Sequence, residues 1–355
     1  MHIRTADAEP QETVHLLSPR RVGALELPNA MVMAPMTRMR AQEDGTPKPV
    51  VADYYAQRAS AGLIITEAAA AAPFGAGYGP MVGLFDEPHE AVWRAVTDAV
   101  HAEGGRIALQ LWHVVRARGE EHGAGRPSNW VIVDELRPEQ LTLEEIRAVP
   151  ADFGAAARRA RALGFDAVEV HAGSGNLLDR FLRPSTNRRT DAYGATAADR
   201  ARLLLESIAA VAEAVGSDRT GVKLSLSAPV DGRPDPAGRE AFAYLLGRLA
   251  DVALAYLHVN RVTDEDRARG AGDDITLEWV REHYSGTLLA AGEFDRDDAE
   301  HALASGLLDA VVFGRAFLAN PDLPERFATG APLNTPDRDT FYTGGPEGLV
   351  DYPRL

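Results

Sequence analysis

At 355 residues and 45% hydrophobic content, the chain is long enough to bury a full core in one large domain. A formal net charge of −15 argues against nucleic acid or an anionic membrane as a partner. The absence of cysteine excludes disulfides, cysteine-ligated iron–sulfur clusters and thiolate catalysis, and it fits the cytoplasm. Neither a signal peptide nor a membrane span is expected, because no apolar run is long enough.

Taken in chain order, residues 1–15 are polar and expected to be flexible, and residues 16–355 are expected to form a single domain. Alternation around a Gly-Ala turn predicts a small hairpin at Val22–Pro28. Eight short apolar segments bounded by turn residues then predict buried parallel strands. These segments are Met31–Ala34, Leu63–Thr66, Ile107–Leu111, Ala167–Val170, Gly221–Ser225, Tyr256–Val259, Leu288–Ala291 and Ala310–Phe313.

Helical patterns lie between the predicted strands. They are Val50–Ala61, Pro88–Glu103, Leu143–Leu163, Ala195–Val215, Gly238–Ala253, Leu277–Ser285 and Arg296–Ser305. Eight strands alternating with helices predict an α/β fold, a (β/α)₈ TIM barrel whose bottom is closed by the N-terminal hairpin. Two connections, 114–142 and 183–194, follow the carboxyl ends of strands and are long enough to be functional loops.

His171 stands at the carboxyl end of the fourth predicted strand, directly after Val170, and a Gly-rich turn follows it. In a βα-barrel the catalytic residues lie at the carboxyl ends of the strands. A histidine alone at such a place is more often a satisfied surface residue. The long motif around it favours a functional role instead.

That motif, VEVHAGSGNLLDRFLRPSTNRRTDAYG at 168–194, resembles the FMN-dependent old yellow enzyme family of ene-reductase-like flavoproteins. The resemblance extends from Leu16 to Pro353. Further matching blocks are MAPMTR (33–38), YYAQRASAGLIITEA (54–68), LQLWH (109–113), FGRAFLANPDLPER (313–326) and FYTGGPEGLVDYP (341–353). It implies a TIM barrel with FMN as cofactor, NAD(P)H as reductant, a small-molecule substrate, and a monomer or homodimer.

A phosphate site is predicted after the last two strands. Barrels commonly bind phosphate in these loops, where Gly292, Gly314 and Arg315 stand. The Arg315 guanidinium offers a fork of donors to a phosphate. Glu293 stands where the family usually has Gly or Asn, and its carboxylate disfavours a phosphate unless it points away and only its backbone N–H is used.

The resemblance also places residues against the flavin ring. It implies that Pro35, Met36 and Thr37 contact the ring edge, with the Thr37 hydroxyl near the reactive nitrogen. Ala68 offers its backbone, and the Gln110 amide matches the pyrimidine donor and acceptor. Thr37 as a turn hydroxyl and Gln110 as a buried amide serving the backbone are the alternative interpretations.

Lys223 ends the fifth predicted strand, where the family normally has an Arg facing N1 and O2 of the flavin. Lysine runs against the composition of this chain, whose other positive residues are Arg except Lys48. An ammonium group is a compact point charge whose pKa falls readily on burial. Lys223 is therefore either a simple replacement or a sign of changed reactivity.

The substrate-facing positions depart from the family. In its ene-reductases a His and an Asn or His bind the substrate carbonyl, and a Tyr protonates the α-carbon. Here His171 remains, but Ser174 and Asn176 occupy the other two positions, and Leu349 replaces the tail Tyr that closes the pocket beside Trp112. An amide has no titrating proton for general acid catalysis near neutral pH.

Three hypotheses follow from this pattern. The first is an FMN-dependent enone reductase that is protonated by water or another side chain. The second is an FMN enzyme of specialised biosynthesis that oxidises, isomerises or rearranges its substrate. The third is a barrel without flavin chemistry that acts as a lyase, a cyclase or a binding protein. No metal site is predicted; the acidic run 264–266 is expected in a solvated loop, and His258 in the core.

Overall fold

The computed structural model describes residues 14–73, 81–113, 137–227, 238–268, 270–272 and 274–355. Most of the predicted N-terminal segment 1–15 and of the connection 114–142 therefore lies outside the described residues.

The chain forms a closed parallel barrel. Its strands are β1 (Arg20–Val22), β2 (Leu25–Leu27), β3 (Met31–Met33), β4 (Leu63–Ile65), β5 (Ala69–Ala70), β6 (Ile107–Trp112), β7 (Ala167–Ala172), β8 (Thr220–Leu224), β9 (Tyr256–Asn260), β10 (Leu288–Ala291) and β11 (Ala310–Phe313). The sheet runs in the order β4-β3-β11-β10-β9-β8-β7-β6-β5, and a further pairing of β4 with β6 closes it. All eight predicted barrel strands are confirmed, within one or two residues at their ends.

Helices cover the outside of the barrel. They are α1 (Val50–Ala56), α2 (Glu87–Ala102), α3 (Leu143–Ala162), α4 (Leu177–Leu182), α5 (Ala197–Val215), α6 (Gly238–Ala250), α7 (Asp264–Ala268), α8 (Leu277–His283), α9 (Arg296–Ala304), α10 (Arg315–Ala319) and α11 (Leu323–Thr329). The seven predicted helices are present. The prediction that residues 264–266 lie in a loop is wrong. These three acidic residues form the first turn of α7, where their charges complement the helix dipole.

Capping residues explain where the two longest helices begin. Thr142 and Glu145 form a capping box before α3, and Thr196 and Asp199 form another before α5. The apolar stripe of α5 faces inward; its members Leu204, Ile208, Val211 and Val215 are buried. Within the described residues, no helix is long and apolar enough to cross a membrane.

The β1–β2 hairpin lies at the amino ends of the strands, as predicted. Ala24 N donates to the carbonyl of Asp218, just before β8, at 2.9 Å. Gly23 has a φ of +57°, and a Cβ there would lie 2.1 Å from that same carbonyl oxygen. Only glycine suits this turn, which closes the bottom of the barrel.

Buried arginines fix the C-terminal tail to the opposite end of the barrel. Arg38 donates to the carbonyl of Gly348 at 2.9 Å. Arg40 donates to the carbonyls of Gly345 at 3.0 Å and Phe341 at 2.9 Å. Both arginines follow β3 and are almost fully buried. The tail is therefore bound through its main chain beside the carboxyl ends of the strands.

Candidate active site

The predicted cofactor and substrate residues of the barrel strands lie at one end of the barrel, because each follows or ends a parallel strand. Segment 35–37 follows β3, Ala68 follows β4, and Gln110 and Trp112 lie near the end of β6. His171, Lys223, Gly292 and Gly314 occupy the equivalent places on β7, β8, β10 and β11. The fold therefore brings these residues to the end where barrel active sites form.

A hydrogen bond connects the loop after β3 to the loop after β4 at this end of the barrel. The carboxylate of Glu67, which precedes Ala68, accepts a hydrogen bond from the backbone N–H of Arg38 at 3.0 Å. Burial raises the pKa of Glu67 to about 7. Thr37 and Ala68 are both partly exposed at this junction, so both are accessible to a ligand, as their predicted roles require.

Gln110 is buried and its amide is already engaged. Its Nε2 donates to the Glu169 carboxylate at 2.6 Å. The other oxygen of that carboxylate lies 3.0 Å from Nδ1 of His258. His258 is buried in β9, as predicted. Gln110 keeps its oxygen and one amide hydrogen for a flavin pyrimidine ring.

His171 and Lys223 are paired in the register of β7 and β8. The imidazole is 9% exposed, and its Nδ1 has no hydrogen-bond partner among the described residues. Burial and the charge of Lys223 lower the pKa of His171 to about 3. The imidazole is therefore neutral at physiological pH and can donate only as a neutral N–H.

Lys223 is half-buried, and the burial of its ammonium group lowers its pKa. The charge of Glu169 opposes this shift. The protonation of Lys223 thus depends on a nearby buried carboxylate.

The turn after β7 is built around Ser225. Its hydroxyl accepts the backbone N–H of Ser174 at 3.1 Å, and a Cβ on Gly173 would lie 2.4 Å from that hydroxyl oxygen. Ser174 has a left-handed φ of 59° and an exposed side chain. Gly175 N–H donates to Asp179 at 2.8 Å. The backbone of the turn is thus fixed, while the Ser174 hydroxyl is free to face a ligand.

The other predicted substrate residues are more deeply placed. Asn176 is the N-cap residue of α4, although its side chain makes no capping bond. Trp112 is buried in a small cluster with Ala70 and Met81. Leu349 is 0% exposed and belongs to the main core. In this conformation Leu349 presents no surface to a substrate, so its role in the pocket stays a prediction.

The two phosphate loops contain an internal ion pair. The Arg315 guanidinium contacts the Glu293 carboxylate, with the two side chains 40% and 48% exposed. Glu293 has a left-handed φ of 56°. Arg261 fixes this backbone, since its guanidinium donates to the carbonyls of Gly292 at 2.6 Å and Glu293 at 2.9 Å.

Glu169 and Arg261 are site residues that the sequence analysis missed. Glu169 stands in the apolar run of β7, where an acid is unexpected, and this was the available signal. Arg261 follows β9 in a polar loop and had no distinguishing signal. Its contacts to the next loop depend on tertiary structure.

The donors at this end fit FMN. Arg315 is a cation for a phosphate, and a Cβ on Gly314 would meet nothing closer than 3.7 Å, so the loop leaves room beside it. Gln110 and Lys223 offer the polar groups that a flavin ring binds. Within the described residues, no cluster of acids and histidines could hold a metal ion.

Together the barrel and this donor set define a flavin-dependent oxidoreductase. The chain matches the model of the NADH:flavin oxidoreductase / NADH oxidase family over residues 15–334, and it belongs to that family. Its cofactor is accordingly FMN, with NAD(P)H as the reductant. This supports the two flavin-dependent hypotheses over the flavin-free one.

Curated relatives cover nearly the whole chain. 12-Oxophytodienoate reductase 2 of Arabidopsis thaliana is 37% identical over 98% of both chains. Chanoclavine-I aldehyde reductase of Penicillium roqueforti is 40% identical over 95% of both. Among solved structures, morphinone reductase in complex with tetrahydroNAD superposes with a TM-score of 0.83, at 40% identity, and the match covers 96% of this chain and 97% of that one. The chain is an FMN-dependent oxidoreductase of the old yellow enzyme type.

Proposed function

We propose that this enzyme reduces carbon–carbon double bonds conjugated to a carbonyl group, and that His171 is the residue that binds the carbonyl oxygen. The observation behind the proposal is the His171 imidazole, which is neutral and beside Lys223 at the carboxyl end of β7. A neutral N–H donor aimed at a developing oxyanion stabilises it in the transition state.

The chain's own residues divide the work of binding. Pro35, Met36, Thr37, Ala68, Gln110 and Lys223 are proposed to contact the flavin ring, and Gly292, Glu293, Gly314 and Arg315 its phosphate. The chemistry that bound FMN supplies is two-electron transfer from NAD(P)H to the substrate double bond. The complex of morphinone reductase with tetrahydroNAD supports a nicotinamide ligand, which is proposed to dock over the flavin.

Protonation of the substrate is the step in which this chain departs from its family. Ser174 offers one exposed hydroxyl as a second donor to the carbonyl. The Asn176 amide cannot deliver a proton, so water or another side chain is proposed to do so. Slow proton delivery would make reoxidation by a simple enone the slow half-reaction.

A specialised FMN enzyme is the second candidate. Three substrate-facing positions, 174, 176 and 349, differ from the family together. The relative named chanoclavine-I aldehyde reductase is a reductase by its name, at 40% identity, so this candidate rests on the three changed positions alone. A pocket rebuilt for another substrate would perform oxidation, isomerisation or rearrangement.

The test is a stopped-flow comparison of the two half-reactions with cyclohexenone. Removal of one oxyanion donor costs about a hundredfold or more in rate. His171→Ala should therefore slow reoxidation by about that factor and leave reduction by NADPH nearly unchanged. His301→Ala, on the exposed face of α9, is the matched control. Equal reoxidation by the wild type and the His171 variant would refute the assignment.

The monomeric or homodimeric state and the cytoplasmic location are proposed from the sequence alone. The small-molecule substrate is consistent with the relatives' names. Size-exclusion chromatography with light scattering tests the first proposal. Cell fractionation tests the second.

A further inference from the structure

The interior of the barrel contains an ionisable residue, Glu169, beneath the proposed flavin site. TIM-barrel interiors are normally filled by Val, Ile and Leu, and Glu is almost never fully buried unless it is paired. Glu169 is fully buried on β7, and its carboxylate bonds both Gln110 and His258. The carboxylate on β7 therefore joins a side chain of its neighbour β6 to one of β9, which lies beyond β8.

The register places this carboxylate one layer below the residues that face the ligand. Glu169 precedes His171 by two residues on β7, so both side chains face the same side of the sheet. Lys223 is the register partner of His171 on one side and of His258 on the other. Gln110 is the register partner of Glu169 itself. The charged layer therefore touches the proposed flavin-binding residues from behind.

The charges within this layer compensate one another. Burial alone would raise the pKa of Glu169, but His258, Lys223 and Gln110 together lower it, so the carboxylate is ionised. Burial lowers the pKa of Lys223, and Glu169 counters that shift. The pKa of His258 and that of His171 are both lowered, first by burial, and the His171 ring is neutral because its pKa falls to about 3. Tyr256, packed over Gly221, has a pKa raised by burial and by Glu169.

A stabilising role alone explains this arrangement poorly. A buried ion pair is often no more stabilising than well-packed apolar residues of similar volume. This charged layer includes Gln110 and Lys223, the two residues proposed to bind the flavin ring. Apolar residues in place of Glu169 could neither orient the Gln110 amide nor affect the charge of Lys223. Its arrangement is better explained by control of those two residues.

We propose that Glu169 is a positioning residue for the cofactor. Its carboxylate fixes the Gln110 amide in one orientation toward the flavin ring, and its negative charge acts on Lys223, which the register places between His171 and His258. The inference rests on the proposed placement of Gln110 and Lys223 against FMN. Glu169 bonds the side chains of Gln110 and His258 and acts on Lys223 through its charge, so its effect on the cofactor passes through Gln110 and Lys223.

The experiment measures the midpoint potential of the FMN-loaded enzyme from pH 6 to pH 9 by equilibration with reference dyes. Glu169→Gln keeps an oxygen acceptor for Gln110 and removes the charge. Without that charge the pKa of Lys223 should fall further, so the variant should depart from the wild type most at the upper end of this range. At high pH the midpoint potential of the variant should then fall below that of the wild type. The expected fall is about 30 mV, which for a two-electron couple corresponds to a tenfold smaller equilibrium constant for flavin reduction.

A second variant separates charge from position. Glu169→Asp keeps the buried charge but shortens the side chain, which should release Gln110. FMN should bind about three- to tenfold more weakly, as loss of one neutral hydrogen bond predicts, with little change in the potential. If Glu169→Gln does not fold, this variant still decides the control of Gln110. Glu206→Gln on α5, whose carboxylate accepts from Tyr193 at 3.1 Å outside the barrel, is the control and should change neither quantity.

The outcomes are separable from those for enone reduction, because neither assay uses an enone. A wild type that binds FMN but does not reduce enones contradicts the proposed function and leaves this inference intact. A Glu169→Gln enzyme whose potential follows the wild-type curve, or is offset equally at every pH, overturns control of Lys223. Unchanged FMN affinity in Glu169→Asp overturns control of Gln110.

Discussion

The ion pair in the phosphate loops predicts that FMN binding is limited by the chain's own carboxylate. Glu293 contacts Arg315, the cation proposed for the phosphate. Phosphate binding must break or share that contact and bring a dianion close to a carboxylate. Glu293→Gln should therefore bind FMN more tightly than the wild type.

The magnitude follows from the exposure of the pair. The two side chains are 40% and 48% exposed, and ion pairs of that kind are worth about 0–1 kcal/mol. Since 1.4 kcal/mol corresponds to a factor of ten, freeing Arg315 should improve the affinity for FMN by up to about fivefold. Riboflavin lacks the phosphate, so its affinity should not change.

Backbone strain at Glu293 gives a second, separable effect. A left-handed residue other than glycine costs about 1 kcal/mol, and Glu293 has a φ of 56°. Glu293→Gly should therefore raise the melting temperature as well as the FMN affinity, while Glu293→Gln raises only the affinity. Ala253→Gly is the matched control: Ala253 has a φ of 43° before β9, so this variant should gain stability alone.

Titration of apo-protein with FMN and with riboflavin, followed by quenching of flavin fluorescence, measures these affinities. Arg315→Ala provides the lower limit, since loss of a charged hydrogen bond costs about 1.5–3 kcal/mol. An FMN affinity of Glu293→Gln equal to or below that of the wild type would refute the reasoning. So would an equal gain for riboflavin, because the effect would then not involve the phosphate.

Further predictions concern the substrate side. Affinity for a neutral enone should be constant from pH 5 to pH 8, because the lowered pKa of His171, about 3, keeps the ring neutral there; a midpoint near pH 6.5 in ligand titrations would contradict this. The pKa of His171 also makes stability depend on pH, because it is near 6.5 in the unfolded chain and about 3 in the folded one. The contribution of His171 to the free energy of unfolding is fully present above pH 6.5 and is lost as the pH falls toward 3. His171→Gln should therefore show a smaller loss of melting temperature than the wild type between pH 7 and pH 5. Ser174→Asn with Asn176→Tyr should speed reoxidation by cyclohexenone, within the range of about 10²–10⁴ that positioned acid catalysis provides, and leave reduction by NADPH unchanged; no gain would favour the specialised reaction.

The barrel strands were predictable because each is short, apolar and buried on both faces, so hydrophobicity alone marks it. The prediction ended one residue early on β6, before Trp112, and two residues early on β7, before the polar His171 and the small Ala172. The short helices α4, α10 and α11 were missed, since five to seven residues are too few to show a helical period.

The site was predictable only as far as its residues follow strands directly. His171, Lys223 and Gly314 each end or follow a strand, so their common location follows from the fold. The pairing of Glu293 with Arg315 and the bonds of Arg261 to the next loop depend on side-chain directions between separate loops. The burial of Leu349 likewise depends on how the tail packs, and no local pattern encodes that.

The binding of the tail through its main chain has an evolutionary consequence. Arg38 and Arg40 donate to carbonyl oxygens of the tail, which every amino acid possesses. Substitutions of tail side chains therefore leave these main-chain acceptors in place, and Arg40 also donates to the Thr343 hydroxyl at 2.9 Å. A lineage can exchange most side chains of the tail without releasing the segment from the barrel. Such an anchor lets the tail sequence drift while the barrel and its arginines are preserved.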